Sequence, residues 1–146
     1  MGDFYDIETF EPREGLGYLL AQARKRALDL LEPEFAPLGL TSVQAIVIVG
    51  IANGTTSAAA FCRLLQHNPG AMTRVIDRLE KAGYVQRVRD AADRRTARLE
   101  LTGAGRKVLP KLRGAAVKVF NHMLRGFSRA EAKQLIASLK RLAEDA

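Results

Sequence analysis

Apolar residues recur with helical spacing over the first part of the chain. The pattern starts near Glu14, weakens at Pro33 and is broken by Pro37 and Gly39. Because residues three and four apart share one face of a helix, this spacing predicts a long amphipathic first helix. Its apolar positions are Leu16, Leu19, Leu20, Ala23, Ala27, Leu30 and Leu31.

Capping residues mark the starts of the next two helices. The stretch TSVQ at 41–44 is a capping box, in which the Thr and Gln side chains each bond a backbone amide of the other. It opens a buried helix that ends at Asn53 and Gly54. Ser57 caps a third helix. The core face of that helix is predicted to hold Phe61, Leu64 and Leu65.

A fourth helix starts at Asn68 and Pro69, a favoured N-cap followed by a favoured first residue, and ends at Gly83. The third and fourth helices are short and are joined by a tight turn, which is the arrangement of a helix-turn-helix. The apolar stripe of the fourth helix is Met72, Val75, Ile76 and Leu79.

Beyond the fourth helix the apolar period changes toward two, in YVQRVR at 84–89 and TARLEL at 96–101, which predicts a β-hairpin. Thr102 caps a further helix that is predicted to kink at Pro110. A second capping box, SRAE at 128–131, opens the last helix. The predicted fold is therefore mainly α with a small β-hairpin wing, a winged helix-turn-helix.

Charge narrows the choice of partner. The formal net charge is +7, and residues 63–113 carry thirteen Lys or Arg against five Asp or Glu. Neutralising phosphates releases counterions, so such a segment favours a polyanion, here double-stranded DNA. A solvated basic surface is the alternative.

The face of the fourth helix opposite its apolar stripe carries residues suited to DNA. Gly70 is small enough to let the helix approach base edges, Thr73 can donate to a phosphate or contact a thymine methyl, and Arg74 can reach guanine. Asp77 is expected to orient an arginine rather than touch DNA. For Arg74 and Arg78 the alternative is ordinary helix-surface charge.

The hairpin tip, DAADRRTARLELT at 90–102, places Arg94 beside Arg95. A wing in this position reaches the minor groove, where arginine is favoured by the enhanced negative potential. Asp93 can pair with a nearby arginine and hold the tip in shape.

Residues 68–109, NPGAMTRVIDRLEKAGYVQRVRDAADRRTARLELTGAGRKVL, resemble the signature of the MarR family of winged-helix regulators. The most specific parts are DRR at 93–95 and LTGAGR at 101–106. The resemblance implies that Arg95 enters the minor groove and that Arg94 lies near the DNA backbone.

The resemblance also implies the domain plan of a single domain over 1–146. The N- and C-terminal helices, about 12–36 and 103–146, would form a homodimer, and the winged helix-turn-helix would occupy about 41–102. Such a dimer binds a palindromic operator, most often as a repressor. The position of Pro33 inside the first helix is a departure from the family pattern.

Many members of the family bind small effectors where the dimer helices meet the winged helix. This implies a small aromatic or phenolic, anionic effector that releases the protein from DNA, with Arg24 favouring the anion. Well-packed core is the alternative. Besides Arg24, the predicted lining consists of Leu40, Gln44, Val47, Ile48, Val108 and Leu112.

No catalytic or metal-binding group is recognisable in the sequence. Cys62 is the single cysteine, His67 and His122 are isolated, and GAGRK at 103–107 lacks the spacing of a phosphate loop. We therefore expect no enzyme activity, no cofactor and no metal. The acidic start is unlike a secretion signal and the apolar run at 45–52 is shorter than the ~20 residues of a membrane span, so a cytoplasmic protein is expected.

Two other functions remain open on the sequence alone. One is a winged-helix module that binds protein without an operator. The other is a redox-sensing regulator that uses Cys62, although an inert, buried thiol is the preferred interpretation of this residue.

Overall fold

The computed structural model describes residues 2–89, 91–92 and 95–144. Six helices and one antiparallel hairpin follow one another within these residues, with short 3-10 turns at Pro12–Glu14 and Ala36–Leu38. The elements are α1 Leu16–Phe35, α2 Ser42–Ala52, α3 Ala58–Leu65, α4 Pro69–Lys81, β1 Val85–Arg89, β2 Ala97–Leu101, α5 Gly103–Met123 and α6 Arg129–Ala143. The mainly helical fold with a hairpin wing is confirmed.

The predicted caps are present. Thr41 and Gln44 form the reciprocal capping box of α2, and the Asn68 side chain accepts a hydrogen bond of 2.7 Å from the Ala71 amide at the start of α4. Ser57 and Thr102 cap α3 and α5 in the same way. Each cap satisfies an amide that has no partner within its helix, so these starts are fixed by local chemistry.

Pro33 and Pro110 both lie inside continuous helices. The first helix does not weaken at Pro33 but continues to Phe35, and α5 runs through Pro110. A proline removes one amide donor, whereas Leu31 and Phe35 bury the last turns of α1 almost completely. The left-handed backbone of Gly39, with φ 72°, then turns the chain into α2.

One core joins α1, α2, α3, α4, α5 and the hairpin. Phe61 of α3 and Met72 and Leu79 of α4 are fully buried in it. The prediction that Leu64 belongs to the core face of α3 is wrong, because this side chain is 60% exposed. In a helix of two turns, Phe61 and Leu65 take the buried face, and Leu64 falls at its edge.

The hairpin is held against the helix-turn-helix. Val85 of β1 pairs with Leu101 of β2, and the Leu99 amide donates to the Thr56 carbonyl before α3 at 2.8 Å. At the start of α5, the Thr102 amide donates to the Tyr84 carbonyl at 3.1 Å. These hydrogen bonds fix the position of the wing relative to α3 and α5.

The two ends of the described chain are poorly covered. No residue of α6 is buried, and residues 2–14 are all exposed. Large apolar side chains remain accessible on α1, α5 and α6, among them Leu16, Leu19, Leu20, Phe120, Leu135, Ile136, Leu139 and Leu142.

No single helix in the described part of the chain is long and apolar enough to cross a membrane; only the pair Leu16–Leu38 and Ser42–Ala52, bent by 84°, reaches that length and composition together.

Candidate nucleic-acid interface

The exposed face of α4 carries the predicted DNA-contacting residues. Met72, Ile76 and Leu79 anchor the helix in the core, so the opposite face is directed outward. The Thr73 hydroxyl donates to the Pro69 carbonyl at 2.8 Å, which leaves its methyl group and its oxygen lone pairs for a ligand. Besides Thr73, the exposed residues of this face include Gly70, Arg74, Asp77 and Arg78.

Arg87 of β1 links the hairpin to α4. Its guanidinium lies 2.7 Å from the Asp77 carboxylate and 2.8 Å from the Glu80 carboxylate. Asp77 is therefore paired with an arginine, as the sequence suggested, and the arginine is Arg87. The pairing offsets two negative charges on the helix that carries the candidate DNA contacts.

The pKa of Arg87 reflects this environment. Partial burial alone would lower the pKa of the guanidinium, but the hydrogen bonds and charges of Asp77 and Glu80 outweigh burial and raise the pKa of Arg87 above its ordinary value. The side chain therefore stays charged and holds both carboxylates at any physiological pH.

The wing tip is described only in part. Asp93 and Arg94 lie outside the described residues, so their predicted roles stay predictions. Arg95 is exposed two residues before β2 begins. Within β2 the Arg98 guanidinium pairs with the Glu100 carboxylate at 2.6 Å.

The apolar residues of the predicted effector lining lie in the core. Its apolar members are buried, the Gln44 side chain is used in the capping box of α2, and Arg24 is exposed on α1. Most of these residues therefore pack in the core of the chain, and their predicted role in binding an effector stays a prediction. The buried members are Leu40, Val47, Ile48, Val108 and Leu112.

A cavity of about 300 Å³ lies on a neighbouring face of α2. Leu31 and Phe35 of α1, Leu112 of α5 and Leu64 of α3 contribute to its wall, and no charged side chain lines it. Spacing along α2 could have indicated this face, since Ile46, Val49 and Gly50 are three or four apart. The remaining lining residues are Ala45, Asn53, Ala116 and Phe120.

Cys62 and His67 have structural surroundings. Cys62 is half-buried and packs against the core, and a ring nitrogen of His67 lies 2.9 Å from the Leu65 carbonyl. Among the described residues, no group of three or more His, Cys, Asp or Glu is placed to hold a metal ion.

Sequence comparisons identify relatives of the chain. The MarR family model matches residues 38–96. The transcriptional regulator BilQ of Clostridioides difficile (strain CD3) is 28% identical over 127 residues, 86% of each chain. The regulator SarZ of Staphylococcus haemolyticus (strain JCSC1435) is 32% identical over 102 residues, 69% of this chain and 68% of SarZ.

Solved structures share the fold. An Escherichia coli MarR variant complexed with operator DNA has a TM-score of 0.75 and 24% identity, over 88% of this chain and 94% of that one. BpsR of Bordetella bronchiseptica, whose DNA binding is regulated by 6-hydroxynicotinic acid, has a TM-score of 0.79 and 21% identity, over 94% and 99%. With the SarZ match and the winged helix-turn-helix geometry, these findings establish that the chain belongs to the MarR family of transcription regulators, which are DNA-binding proteins and not enzymes.

Proposed function

We propose that this chain is a dimeric, sequence-specific repressor that a small effector releases from its operator. The observation that carries the proposal is the outward face of α4, where Thr73, Arg74 and Arg78 are exposed beside a hairpin tied to the same helix by Arg87. A helix presented in this way can enter the major groove while the wing contacts the flanking minor groove.

Gly70 supports a close approach to DNA. Glycine in a helix is less stable than alanine by about 1 kcal/mol. A Cβ at Gly70 would meet only the Asn68 side chain, at 3.4 Å, so the fold itself tolerates a larger residue there. The absence of a side chain is therefore better explained by what approaches the helix from outside.

The exposed apolar residues support a dimer. Leu16 and Leu20 of α1 and Leu135 and Leu139 of α6 are each 38–43% exposed, and their helices are the first and last of the described chain. Apolar surface of this extent marks an interface. We assign dimerisation to about 12–36 and 103–146, and DNA binding to about 41–102, within one domain over 1–146.

The dimer would bind a pseudo-palindrome with half-sites about one helical turn, ~10 bp, apart, because its two-fold axis presents two copies of α4 to successive major grooves. Arg94 and Arg95 would contact the flanking backbone and minor groove, with Asp93 holding the tip. The E. coli MarR variant, which was crystallised with operator DNA, supports an operator as the ligand.

Footprinting of the purified protein on the DNA upstream of its own gene tests the proposal. We expect two protected half-sites, and an affinity that falls with salt by roughly 0.9 log units per neutralised phosphate for each log unit of salt. A protein that stays monomeric and shows no salt-dependent binding to DNA would instead favour a protein-interaction module.

The cavity between α1, α2, α3 and α5 is the best candidate effector site. It lies between the helices assigned to dimerisation and those assigned to DNA binding, and its uncharged wall suits the aromatic ring of an effector. The regulation of BpsR by an aromatic acid supports this ligand class. Suppose that the effector binds more tightly, by about 1–3 kcal/mol, to a dimer whose two copies of α4 are wrongly spaced for the operator. The affinity for DNA would then fall roughly 5–150-fold.

A further inference from the structure

One face of α6 carries a shallow groove of about 450 Å³ that is lined by three apolar and three basic residues. The lining residues recur every three or four positions, so they occupy one stripe about 16 Å long on the helix surface. Among the described residues none covers this stripe fully, because no residue of α6 is buried. The apolar lining residues are Ala132, Ile136 and Ala137, and the basic ones, called the basic rim below, are Arg129, Lys133 and Lys140.

The N-terminal arm, residues 2–14, has the opposite character. It contains five Asp or Glu against one Arg, together with Phe4, Tyr5, Ile7 and Phe10. The side chains of Phe4 and Ile7 are 91% and 95% exposed. An acidic segment with accessible aromatic rings is complementary, in charge and in apolar content, to the α6 groove.

The arm nevertheless has a defined shape. The rings of Phe4 and Tyr5 and those of Tyr5 and Phe10 pack edge to face, with centroids 5.0 and 5.2 Å apart. The Tyr5 hydroxyl donates to the Glu14 carbonyl at 3.3 Å, which ties this ring cluster to the start of α1. An ordered cluster loses less conformational entropy on binding than a disordered tail would.

Within one chain the arm and the groove remain apart, since both are exposed in the same fold. From this we infer that the N-terminal arm of one copy docks into the α6 groove of a second copy. Asp3, Asp6 and Glu8 would face the basic rim, and the aromatic rings would cover Ile136. The inference rests on the dimer proposed above and assigns the arm a role in holding that dimer together.

A charge-swap mixing experiment tests this contact. One variant reverses the rim by Lys133→Glu and Lys140→Glu, and the other reverses the arm by Asp3→Lys and Glu8→Lys. None of these side chains makes a hydrogen bond or ion pair within the described residues, so both variants should fold. Each homodimer then places like charges together, and we expect its dissociation constant to rise roughly 10-fold.

Mixing the two variants restores opposite charges at both contacts of a heterodimer. Native mass spectrometry should therefore find the heterodimer well above the statistical share of about half. The matched control, Lys107→Glu with Lys111→Glu on the exposed face of α5, should mix with the arm variant at about that statistical share. Circular dichroism confirms folding of each variant.

The outcomes are distinguishable. Statistical mixing of the charge-swap pair, with a wild-type dimer that binds DNA, overturns the arm contact and leaves the proposed function intact; it is also what docking of the arm on its own α6 would give. If the rim variant loses DNA affinity while mixing stays statistical, the groove holds nucleic acid and the inference is wrong. A wild-type protein that is monomeric at all concentrations contradicts the proposed function itself.

Discussion

Arg87 and Leu99 face each other across the hairpin, and the backbone amide of each bonds outside it. The Arg87 amide donates to the Glu80 carboxylate of α4 at 3.1 Å, and the Leu99 amide donates to the Thr56 carbonyl before α3 at 2.8 Å. The wing is thus tied along both edges to the helix-turn-helix. Movement of α4 must therefore carry the hairpin with it, which couples the two candidate DNA contacts mechanically.

Replacing Arg87 should loosen this coupling. Arg87→Ala removes the ion pairs to Asp77 and Glu80 and leaves two carboxylates unopposed on α4. Because both carboxylates are about half exposed, we expect the free energy of unfolding to fall by only about 1 kcal/mol. Operator affinity should fall more, by roughly 10-fold, with loss of protection at the flanks in footprinting.

Lys25→Ala is the matched control, since it deletes an exposed ion pair with Asp29 on α1, away from the hairpin. This substitution should change neither the free energy of unfolding nor the operator affinity measurably. If Arg87→Ala lowers stability and DNA affinity by the same free energy, its role is structural only.

Local chemistry explains which parts of the fold the sequence predicts. Thr41, Ser57, Asn68 and Thr102 cap helices through bonds to amides three residues away, so the helix starts follow from neighbours in the chain. The role of Asp77 in orienting an arginine was likewise predictable from its place on α4. Its partner was not, because Arg87 is brought to it only by the turn between α4 and β1.

Features that depend on packing between distant elements were predicted poorly. Leu64 fits the apolar spacing of α3, yet its exposure depends on where α1 and α5 lie. Helical spacing likewise identifies an apolar face of α2 but does not show whether α5 fills the space beside it. Local periodicity cannot distinguish a cavity wall from a filled core.

Two glycines in α5 should respond oppositely to alanine. A Cβ at Gly105 would clash with the Tyr84 carbonyl, part of the backbone that joins α4 to β1, whereas Gly114 has open space. Gly105→Ala should lower the free energy of unfolding by about 1–3 kcal/mol, since the backbone must shift. Gly114→Ala should raise it by up to about 1 kcal/mol through helix propensity. Urea denaturation checks both, and equal effects would contradict the close approach at Gly105.

The start of α6 should be sensitive to acid. The hydrogen bond from the Ser128 amide to the Glu131 carboxylate, 2.7 Å long, and the contact with the Ser128 side chain lower the pKa of Glu131. A carboxyl whose pKa is lower in the folded state stabilises that state above its ordinary pKa, and this stabilisation is lost as pH falls through the lowered value.

Glu131→Gln keeps a side-chain oxygen that accepts the bond but does not titrate. The wild type should therefore be more thermally stable than Glu131→Gln near neutral pH, and the difference should disappear as pH falls through the lowered pKa of Glu131. Thermal unfolding of both proteins, followed by circular dichroism at several pH values, measures this difference in stability. Glu144→Gln is the control, and a difference independent of pH would contradict the assigned cause.

Substitutions in the wing and in α4 should have different effects on DNA binding. Arg95→Ala should weaken operator binding by ~1–3 kcal/mol and reduce the preference for A·T pairs at the flanks. The reason is that the negative potential of a narrow, A·T-rich minor groove attracts an arginine. Arg74→Ala should instead relax discrimination within the half-site, where a base contact is lost. Binding to a library of randomised operators separates the two. An Arg95→Ala variant that binds like wild type would remove the wing from the interface.

The cavity between α1, α2, α3 and α5 can be filled without disturbing the DNA-binding face. Ala116 is half-buried in the cavity wall, so Ala116→Leu would occupy space that an aromatic ring needs. Ala115→Leu adds the same volume one residue earlier, outside that wall. We expect aromatic or phenolic acids to stabilise the wild type and Ala115→Leu in a thermal-shift screen and to release both from the operator. Ala116→Leu should keep operator affinity within roughly 3-fold of wild type but lose the response, because a differential affinity of 1–3 kcal/mol requires the ligand to enter. Stabilisation without DNA release would contradict the allosteric role, and a full response from Ala116→Leu would place the effector elsewhere.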